Sequence, residues 1–249
     1  QSAADNGLIA RSPVRKEDRV NAANPPEEEP LTNERSRALL LALEGTRAYT
    51  FCLIALSTGM RRGEILGLMW DDIDFEDGLI HVSHNKSFVM NETDAPVTEL
   101  LKTEAARRKL PMGQVLTEHL QKLRAASTSP FVLSMANGAS LSRSAFRSMW
   151  KAVDRRTVGK GRVPRDLGKK YGSMEVTLDF DVHPHLLRHT YITQLFETGL
   201  DIKQVQYLAG HSKPEMTMRV YTHYRQKQRA GETREKVHAA LNYLSEEAV

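Results

Sequence analysis

The chain has 249 residues, of which 40% are hydrophobic and 27% are charged, with a formal net charge of +4. This composition suits a soluble protein with a buried core, arranged as one large domain or two small ones, and the mildly basic charge permits nucleic-acid binding without establishing it. We find no apolar stretch near the roughly 20 residues of a membrane span, no signal-peptide pattern at the start, and a single cysteine, which excludes an intrachain disulfide.

The first third of the chain is predicted to be a linker followed by helices. Residues 1–30 end in the segment PPEEEP, whose composition is typical of a linker. Thr32 is suited to cap a first helix with an apolar stripe of leucines. A second helix is predicted over about 46–58, and a third begins near Arg61.

The middle and end of the chain are predicted to add one small sheet and further helices. Alternating apolar residues over 78–83 indicate a strand, and residues 84–111 are expected to form strands around an acidic loop, with Lys102 near a hairpin. The prediction is a mainly α fold with a small antiparallel β-sheet, of the α+β class. The remaining helices are expected at about 113–126, 141–156, 184–198, 202–209, 215–222 and 232–246.

The segment HLLRHTYITQLFETGLDIKQVQYLAGHSKPEMTMRVYTHY is the most informative part of the sequence. His185 and Arg188 share one face near the start of a helix, where an arginine fork can bind phosphate oxygens. His211 follows Gly210, a helix-terminating residue, so it is expected on a loop that can aim at the same point. Tyr221 offers a phenol that can act as a covalent nucleophile.

A second informative segment, STGMRRGEILGL, places two arginines where an apolar helix should end. Arg61 and Arg62 directly follow Thr58-Gly59. Metal-free phosphoryl transfer needs arginine, histidine and tyrosine arranged around a phosphate. These residue types are present, and no set of metal ligands is obvious.

Together these segments closely resemble the tyrosine recombinase, or phage integrase, family. The resemblance covers roughly residues 31–225, and the segment KTEAARRKLPM looks most like integrases of conjugative transposons. The ordered matches are Thr58, Gly59, Arg61 and Glu64 for the first arginine motif, His185, Arg188, His189 and Thr190 for the His-x-x-Arg box, Gly210 and His211 for the Gly-His step, and Tyr221, Thr222 and His223 for the ending.

The resemblance implies DNA strand exchange through a 3′-phosphotyrosyl intermediate, without any cofactor. Tyr221 is implied to be the nucleophile and His185 the group that accepts its proton. Arg61 and Arg188 are expected to clamp the non-bridging oxygens, where His211 also donates. Glu64 is interpreted as a buttress for an arginine.

The resemblance also implies a general acid, Lys102, which protonates the departing 5′-oxygen. The expected partners are double-stranded DNA carrying recombination sites or transposon ends, and further copies of the chain in a dimer or tetramer on DNA. The expected location is the bacterial cytoplasm, at the nucleoid, with no membrane partner.

Several assignments compete with these. Arg62 rivals Arg61, and Lys86 and Lys109 rival Lys102. The interval from His211 to Tyr221 looks one residue longer than in some family members, so the last helix can be displaced. Tyr191, Tyr207 and Tyr224 are the other candidate nucleophiles, and Arg107, Arg108, Lys109, Lys169 and Lys170 are either contacts to the DNA backbone or ordinary solvated charges.

Three other functions are alternatives to DNA strand exchange. His185 and His189 have the spacing of a zinc-binding helix, but Leu186 stands where a metalloprotease needs its glutamate. A DNA-binding regulator that no longer cuts is disfavoured because all six expected catalytic residue types are present. A type IB topoisomerase-like enzyme shares the chemistry and differs in needing only one DNA site.

The two ends of the chain are predicted to lie outside the catalytic core. Residues 1–30 are interpreted as a linker, or the end of a missing core-binding domain, and residues 31–249 as the catalytic domain. Its last segment, residues 232–249, carries an apolar stripe of Val237, Leu241 and Leu244. This stripe packs either on its own domain or on a neighbouring subunit, and we favour the neighbour.

Overall fold

The computed structural model describes residues 29–88, 97–99, 107–157, 170–171, 174–175 and 177–241. Residues 1–28, including most of the predicted linker, and residues 100–106, including Lys102, lie outside the described residues. The helices are α1 (Asn33–Leu43), α2 (Arg47–Thr58), α3 (Arg62–Gly67), α4 (Gln114–Ala125), α5 (Arg143–Asp154), α6 (Pro184–Glu197), α7 (Ile202–Ala209) and α8 (Pro214–Leu241).

The described strands are short and all pair antiparallel. They are β1 (Ile73–Asp74), β2 (Leu79–Val82), β3 (His84–Lys86), β4 (Val97–Glu99), β5 (Arg108–Pro111), β6 (Lys170–Tyr171) and β7 (Met174–Glu175). Strands β1, β2 and β5 form a three-stranded sheet in that order, while β3 pairs with β4 and β6 with β7. The predicted α+β class is confirmed, and the strand predicted over 78–83 is β2.

Helix α2 forms the centre of the larger core. Its N-cap Thr46 accepts a hydrogen bond from Tyr49 N, and Gly59 ends it in the left-handed region at φ 62°. Its residues from Phe51 to Ala55 are all buried, and it packs against α1, α3, α4, α5 and α6. A helix that is apolar on every side can be stable only when it is surrounded in this way.

A smaller apolar cluster joins α6, α7 and α8. Its buried members include Phe196 from α6, Val205 from α7 and Val220 from α8. Tyr221 and Tyr224 pack against it and are partly buried. The cluster therefore fixes the helix that carries the predicted nucleophile against the helix that carries Arg188.

The prediction of two separate helices at the C-terminus was wrong. The expected helix at 215–222 and residues 232–241 of the expected helix at 232–246 belong to one helix, α8, which is described as far as Leu241; residues 242–246 lie outside the described residues. The intervening segment HYRQKQRAG has no apolar stripe, so hydrophobic periodicity gave no signal there. It contains no proline, and its arginines, glutamines and lysine favour helix, so backbone propensity carries α8 through.

Strand β3 lies directly against α3 because two glycines make room for it. A Cβ on Gly63 would lie 2.8 Å from the Lys86 carbonyl oxygen, and one on Gly67 would lie 3.0 Å from Asn85 N. Lys86 is itself buried, with Nζ 2.6 Å from Ser140 Oγ. The β3–β4 hairpin is thus anchored on the helix that begins beside Arg61.

Candidate active site

Arg61 occupies the N-cap position of α3 and points toward the end of α7. Its backbone N–H donates to Glu64 Oε2 at 2.8 Å, its Nη1 donates to Glu64 Oε1 at 2.9 Å, and its Nη2 donates to Gly210 O at 2.6 Å. Its side chain remains 40% exposed. Arg61 is therefore oriented on both sides and still accessible to a ligand.

The neighbouring Arg62 points elsewhere. Its guanidinium carbon lies 5.4 Å from the ring centroid of Phe88 and 5.7 Å from that of Phe146, in cation–π geometry. The structure thus separates two arginines that the sequence left as alternatives, and it directs Arg61 to the candidate site.

Arg188 is buried in the first half of α6. Its Nη1 donates to Gly59 O at 2.6 Å and its Nη2 donates to Ala209 O. Burial, and then the neighbouring charge of Arg61, lowers the pKa of Arg188 to about 9, so the group stays cationic at neutral pH. Since these two hydrogen bonds go to neutral carbonyls, the positive charge is available to an anion.

Three guanidinium groups converge on the C-terminal end of α7. The last carbonyls of a helix lack intrahelical partners and carry its partial negative charge, so arginines are favourable there. Each of three consecutive carbonyls accepts from a different arginine. The pairs are Arg108 Nε to Leu208 O at 2.9 Å, Arg188 Nη2 to Ala209 O, and Arg61 Nη2 to Gly210 O at 2.6 Å.

His211 follows this helix end and is buried. Gly210 adopts φ 63°, which turns the chain out of α7. Burial, and then the charges of Arg188 and Arg61, lowers the pKa of His211 to about 3, so the imidazole is neutral at pH 7. Its Nδ1 lies 2.9 Å from Thr217 Oγ1. When the Thr217 hydroxyl donates to Nδ1, Nε2 carries the hydrogen, which is the form that a donor to phosphate needs.

His185 lies in the first turn of α6 and is exposed. His185 precedes Arg188 by three residues, close to one turn of the same helix, and has the smallest of the effects that lower the pKa of His211. The hydrogen bonds bring Arg61 and Arg188 together at the end of α7, directly before His211. Among the residues described, no group of three or more His, Cys, Asp or Glu side chains is arranged to hold a metal ion.

Tyr221 lies on α8, and its ring packs on Phe196, with 5.3 Å between the ring centroids. Thr217, four residues earlier on the same helix, lies beside His211, with 2.9 Å between Thr217 Oγ1 and His211 Nδ1. Helix α8 therefore contacts the cluster at His211 and carries Tyr221 one turn further along.

The other tyrosines are distinguished by their surroundings. Burial raises the pKa of Tyr191 to about 12, which makes it a poor nucleophile. The Tyr207 hydroxyl accepts from Lys109 N at 3.1 Å, and the Tyr224 hydroxyl accepts from Gln228 Nε2 at 3.0 Å while its ring stacks on Phe196. Tyr224 remains the nearest rival of Tyr221.

Arg108 was wrongly interpreted as a surface residue that either contacts DNA or is solvated. Its side chain is completely buried and forms an ion pair with Glu64 at 2.8 Å. The signal was present in the strand: Arg108 and Leu110 alternate with exposed neighbours in β5, so both face inward. Lys109 and Arg107 are exposed.

Glu64 contacts both Arg61 and Arg108, in agreement with its interpretation as a buttress. Burial alone would raise the pKa of Glu64. The hydrogen bonds and charges of Arg108 and Arg61 hold it below its ordinary value, so the carboxylate stays ionised.

Known proteins resemble this chain in sequence and in fold. The model of the phage integrase family matches residues 29–228. A tyrosine recombinase XerC-like protein of Caldanaerobacter subterraneus subsp. tengcongensis is 29% identical over 253 residues, which cover 91% of this chain and 60% of that protein. The transposase from transposon Tn916 of Enterococcus faecalis is 28% identical over 201 residues, which cover 78% of this chain and 47% of the transposase.

Solved structures show the same fold. A complex of the Tn1549 transposon integrase with a circular intermediate DNA superposes with a TM-score of 0.64 at 23% identity, covering 88% of this chain and 69% of the integrase chain. The XerA recombinase superposes with a TM-score of 0.56 at 19% identity, covering 86% of this chain and 68% of the XerA chain. No helix in the described part of this chain is long and apolar enough to cross a bilayer.

The family model matches four-fifths of the length of this chain, and the chain therefore belongs to the phage integrase family.

Proposed function

We propose that this chain is the catalytic part of a site-specific DNA recombinase, the integrase or transposase of a mobile element. The observation that carries the proposal is the convergence of Arg61, Arg188 and His211 at the end of α7. The chain spans 60% and 47% of the two curated relatives named above, so the activity of a complete protein is part of the proposal.

The proposed reaction exchanges one phosphodiester for another. The Tyr221 oxygen attacks the scissile phosphorus, a 3′-phosphotyrosyl bond forms, the bond to the 5′-oxygen breaks, and that oxygen leaves as a hydroxyl after gaining a proton. Attack by the 5′-hydroxyl of a second DNA strand reverses the step. Because the number of phosphate ester bonds is unchanged, no nucleotide cofactor is required.

Charge stabilisation in the transition state would come from the arginines. Fixed donors aimed at the non-bridging oxygens are usually the largest contribution to such catalysis. Arg61 and Arg188 donate to the carbonyls of Gly210 and Ala209 in the free protein. These hydrogen bonds hold the two guanidinium groups side by side, ready to be shared with a phosphate.

The tyrosine must lose a proton. A free tyrosine has a pKa of about 10, so a base is needed near pH 7, and the exposed His185 is the proposed acceptor. The Tyr221 ring packs on Phe196 in the free protein, and its hydroxyl is the group that would face the phosphate in the complex.

Lys102 is the proposed general acid, and a change of leaving group tests it. Lys102→Ala should slow cleavage by about 10²- to 10⁴-fold when the leaving group is an ordinary 5′-oxygen. A 5′-bridging sulfur leaves without protonation, so that substrate should largely restore the rate of the variant. Equal defects on the two substrates would show that Lys102 has another role. Lys109→Ala, on the exposed face of β5, is the matched control.

Recombination also needs several subunits, and we propose that the end of α8 docks on a neighbouring copy to build a dimer or tetramer on double-stranded DNA. Val237 and Leu241 are 48% and 50% exposed, so within the described residues the stripe is not covered by its own domain. The proposed substrates are recombination sites or transposon ends, and the proposed location is the bacterial nucleoid in the cytoplasm.

A suicide DNA substrate tests the proposal as a whole. A nicked duplex with transposon ends loses its 5′-hydroxyl fragment after cleavage, so a covalent protein–DNA adduct should accumulate, and it should do so in excess chelator. A chain truncated after residue 231 lacks the apolar stripe at the end of α8, so it should no longer form the dimeric or tetrameric complexes with DNA on a native gel. No adduct, or an adduct only with a divalent metal, would contradict the proposed chemistry. Covalent adducts on DNA that carries a single site, together with relaxation of DNA without pairing of two sites, would favour the topoisomerase-like alternative.

A further inference from the structure

We propose that Arg108 is a positioning residue of the catalytic site that acts through Arg61. It holds both of the groups that orient Arg61, one on α3 and one at the end of α7. This inference rests on the proposed function, because its consequence is a lower rate of DNA cleavage.

The first of these groups is Glu64. Arg108 binds it with a two-point fork, Nη1 to Oε1 at 3.2 Å and Nη2 to Oε2 at 2.8 Å. The same two oxygens accept from Arg61 Nη1 and Arg61 N. Each carboxylate oxygen is thus shared between the two arginines, and the position of Glu64 is fixed by Arg108 on the buried side.

The second group is the carbonyl of Gly210, which accepts from Arg61 Nη2. Arg108 supports the chain at this point. Its Nε donates to Leu208 O at 2.9 Å, and a Cβ on Gly210 would lie 2.7 Å from Arg108 Nη1 and 2.8 Å from its Cζ. The turn after α7 therefore rests on the guanidinium plane, and only glycine leaves enough space for it.

A second tie joins the same elements. Lys109 N, the next residue of β5, donates to the Tyr207 hydroxyl of α7 at 3.1 Å. Strand β5 is therefore connected to α3 through Glu64 and to α7 through Leu208 and Tyr207. Each connection joins residues that are far apart in the sequence, with separations from 44 to 100 positions. The connections therefore set the tertiary placement of the site rather than its local structure.

The chemistry of the side chain explains why arginine is needed. A lysine keeps the positive charge but presents one ammonium group, which cannot bind both oxygens of Glu64 and Leu208 O in the same planar geometry. Glu64 and Leu208 O accept from Nε, Nη1 and Nη2 of Arg108, so Arg108 acts on Arg61 through these groups. Misplacement of a catalytic group by about 1 Å costs on the order of 10²-fold in rate.

The test compares Arg108→Lys with Arg107→Lys, an exposed neighbour that undergoes the same change. Single-turnover cleavage of the suicide substrate should fall by roughly 10- to 100-fold for Arg108→Lys and by less than about twofold for Arg107→Lys, with DNA affinity unchanged within about twofold. In an Arg61→Lys background the additional loss from Arg108→Lys should shrink below about threefold, because the two residues act as one unit.

Each outcome decides the proposal. A wild-type cleavage rate for Arg108→Lys, or losses that multiply with those of Arg61→Lys, would overturn it. If Arg108→Lys does not fold, Glu64→Gln decides, because it keeps the shape of the side chain through which Arg108 acts and replaces one of its two shared acceptor oxygens with a donor. That variant should lose roughly 10- to 100-fold in the wild-type background and less than about threefold more with Arg61→Lys; a wild-type rate overturns the proposal. Absence of adduct with the unmodified chain would instead count against the proposed function.

Discussion

Tyr221→Phe should abolish the covalent adduct while leaving DNA binding within about twofold. Removal of a covalent nucleophile eliminates the only route to the phosphotyrosyl bond, so adduct formation should fall by about 10⁴-fold or more. The phenyl ring can still pack on Phe196, so the free energy of unfolding should change by less than about 1 kcal/mol. Adduct yield on the suicide substrate, measured beside DNA affinity and thermal unfolding, checks all three expectations.

Tyr224→Phe is the matched control. Tyr224 lies one turn further along α8, and its ring also packs on Phe196. The substitution removes a hydroxyl in nearly the same environment, so packing effects should be equal and the adduct should persist. Persistence of the adduct in Tyr221→Phe, together with its loss in Tyr224→Phe, would transfer the nucleophile to Tyr224.

Arg61→Lys should lower the rate of cleavage by about 10²- to 10³-fold. The substitution retains the charge but removes the planar fork that donates to Glu64 and to Gly210 O and, in the proposed reaction, to a phosphate oxygen. Loss of one donor to the transition state costs about this much. Single-turnover kinetics at saturating protein separate this effect from DNA binding.

Arg62→Lys provides the comparison for this prediction. Arg62 is next in the chain, carries the same charge and packs over Phe88 and Phe146 instead of the site. Its substitution should change the cleavage rate by less than about threefold and stability by about 0.5–1 kcal/mol. Equal rate defects in the two variants would mean that the arginines act through general charge and not through the geometry of the site.

The parts of the fold that the sequence predicted well are those with local signals. Helix α7 was expected over 202–209 and has those bounds, because Asp201 caps its first turn and Gly210 ends it with a positive φ. Local motifs also singled out Arg61, Arg188 and His211, which the structure brings to the end of α7, and their catalytic roles stay a prediction.

The features that the sequence did not predict depend on contacts between distant segments. The ion pair of Arg108 with Glu64 joins β5 to α3. Nothing in the sequence around either residue indicates that the other is its partner. The packing of Tyr221 on Phe196 depends on how α8 lies against α6, which periodicity does not encode. The continuity of α8 through a polar segment was missed because helix prediction relied on an apolar stripe.

Mapping the DNA-linked residue tests the central claim most directly. The covalent complex formed on a suicide substrate would be digested with nuclease and protease, and the peptide that retains a nucleotide would be sequenced by mass spectrometry. The account predicts a single modified residue, Tyr221, joined to the 3′-phosphate of the cleaved strand. A nucleotide on Tyr191, Tyr207 or Tyr224, or a link to a 5′-phosphate, would contradict it.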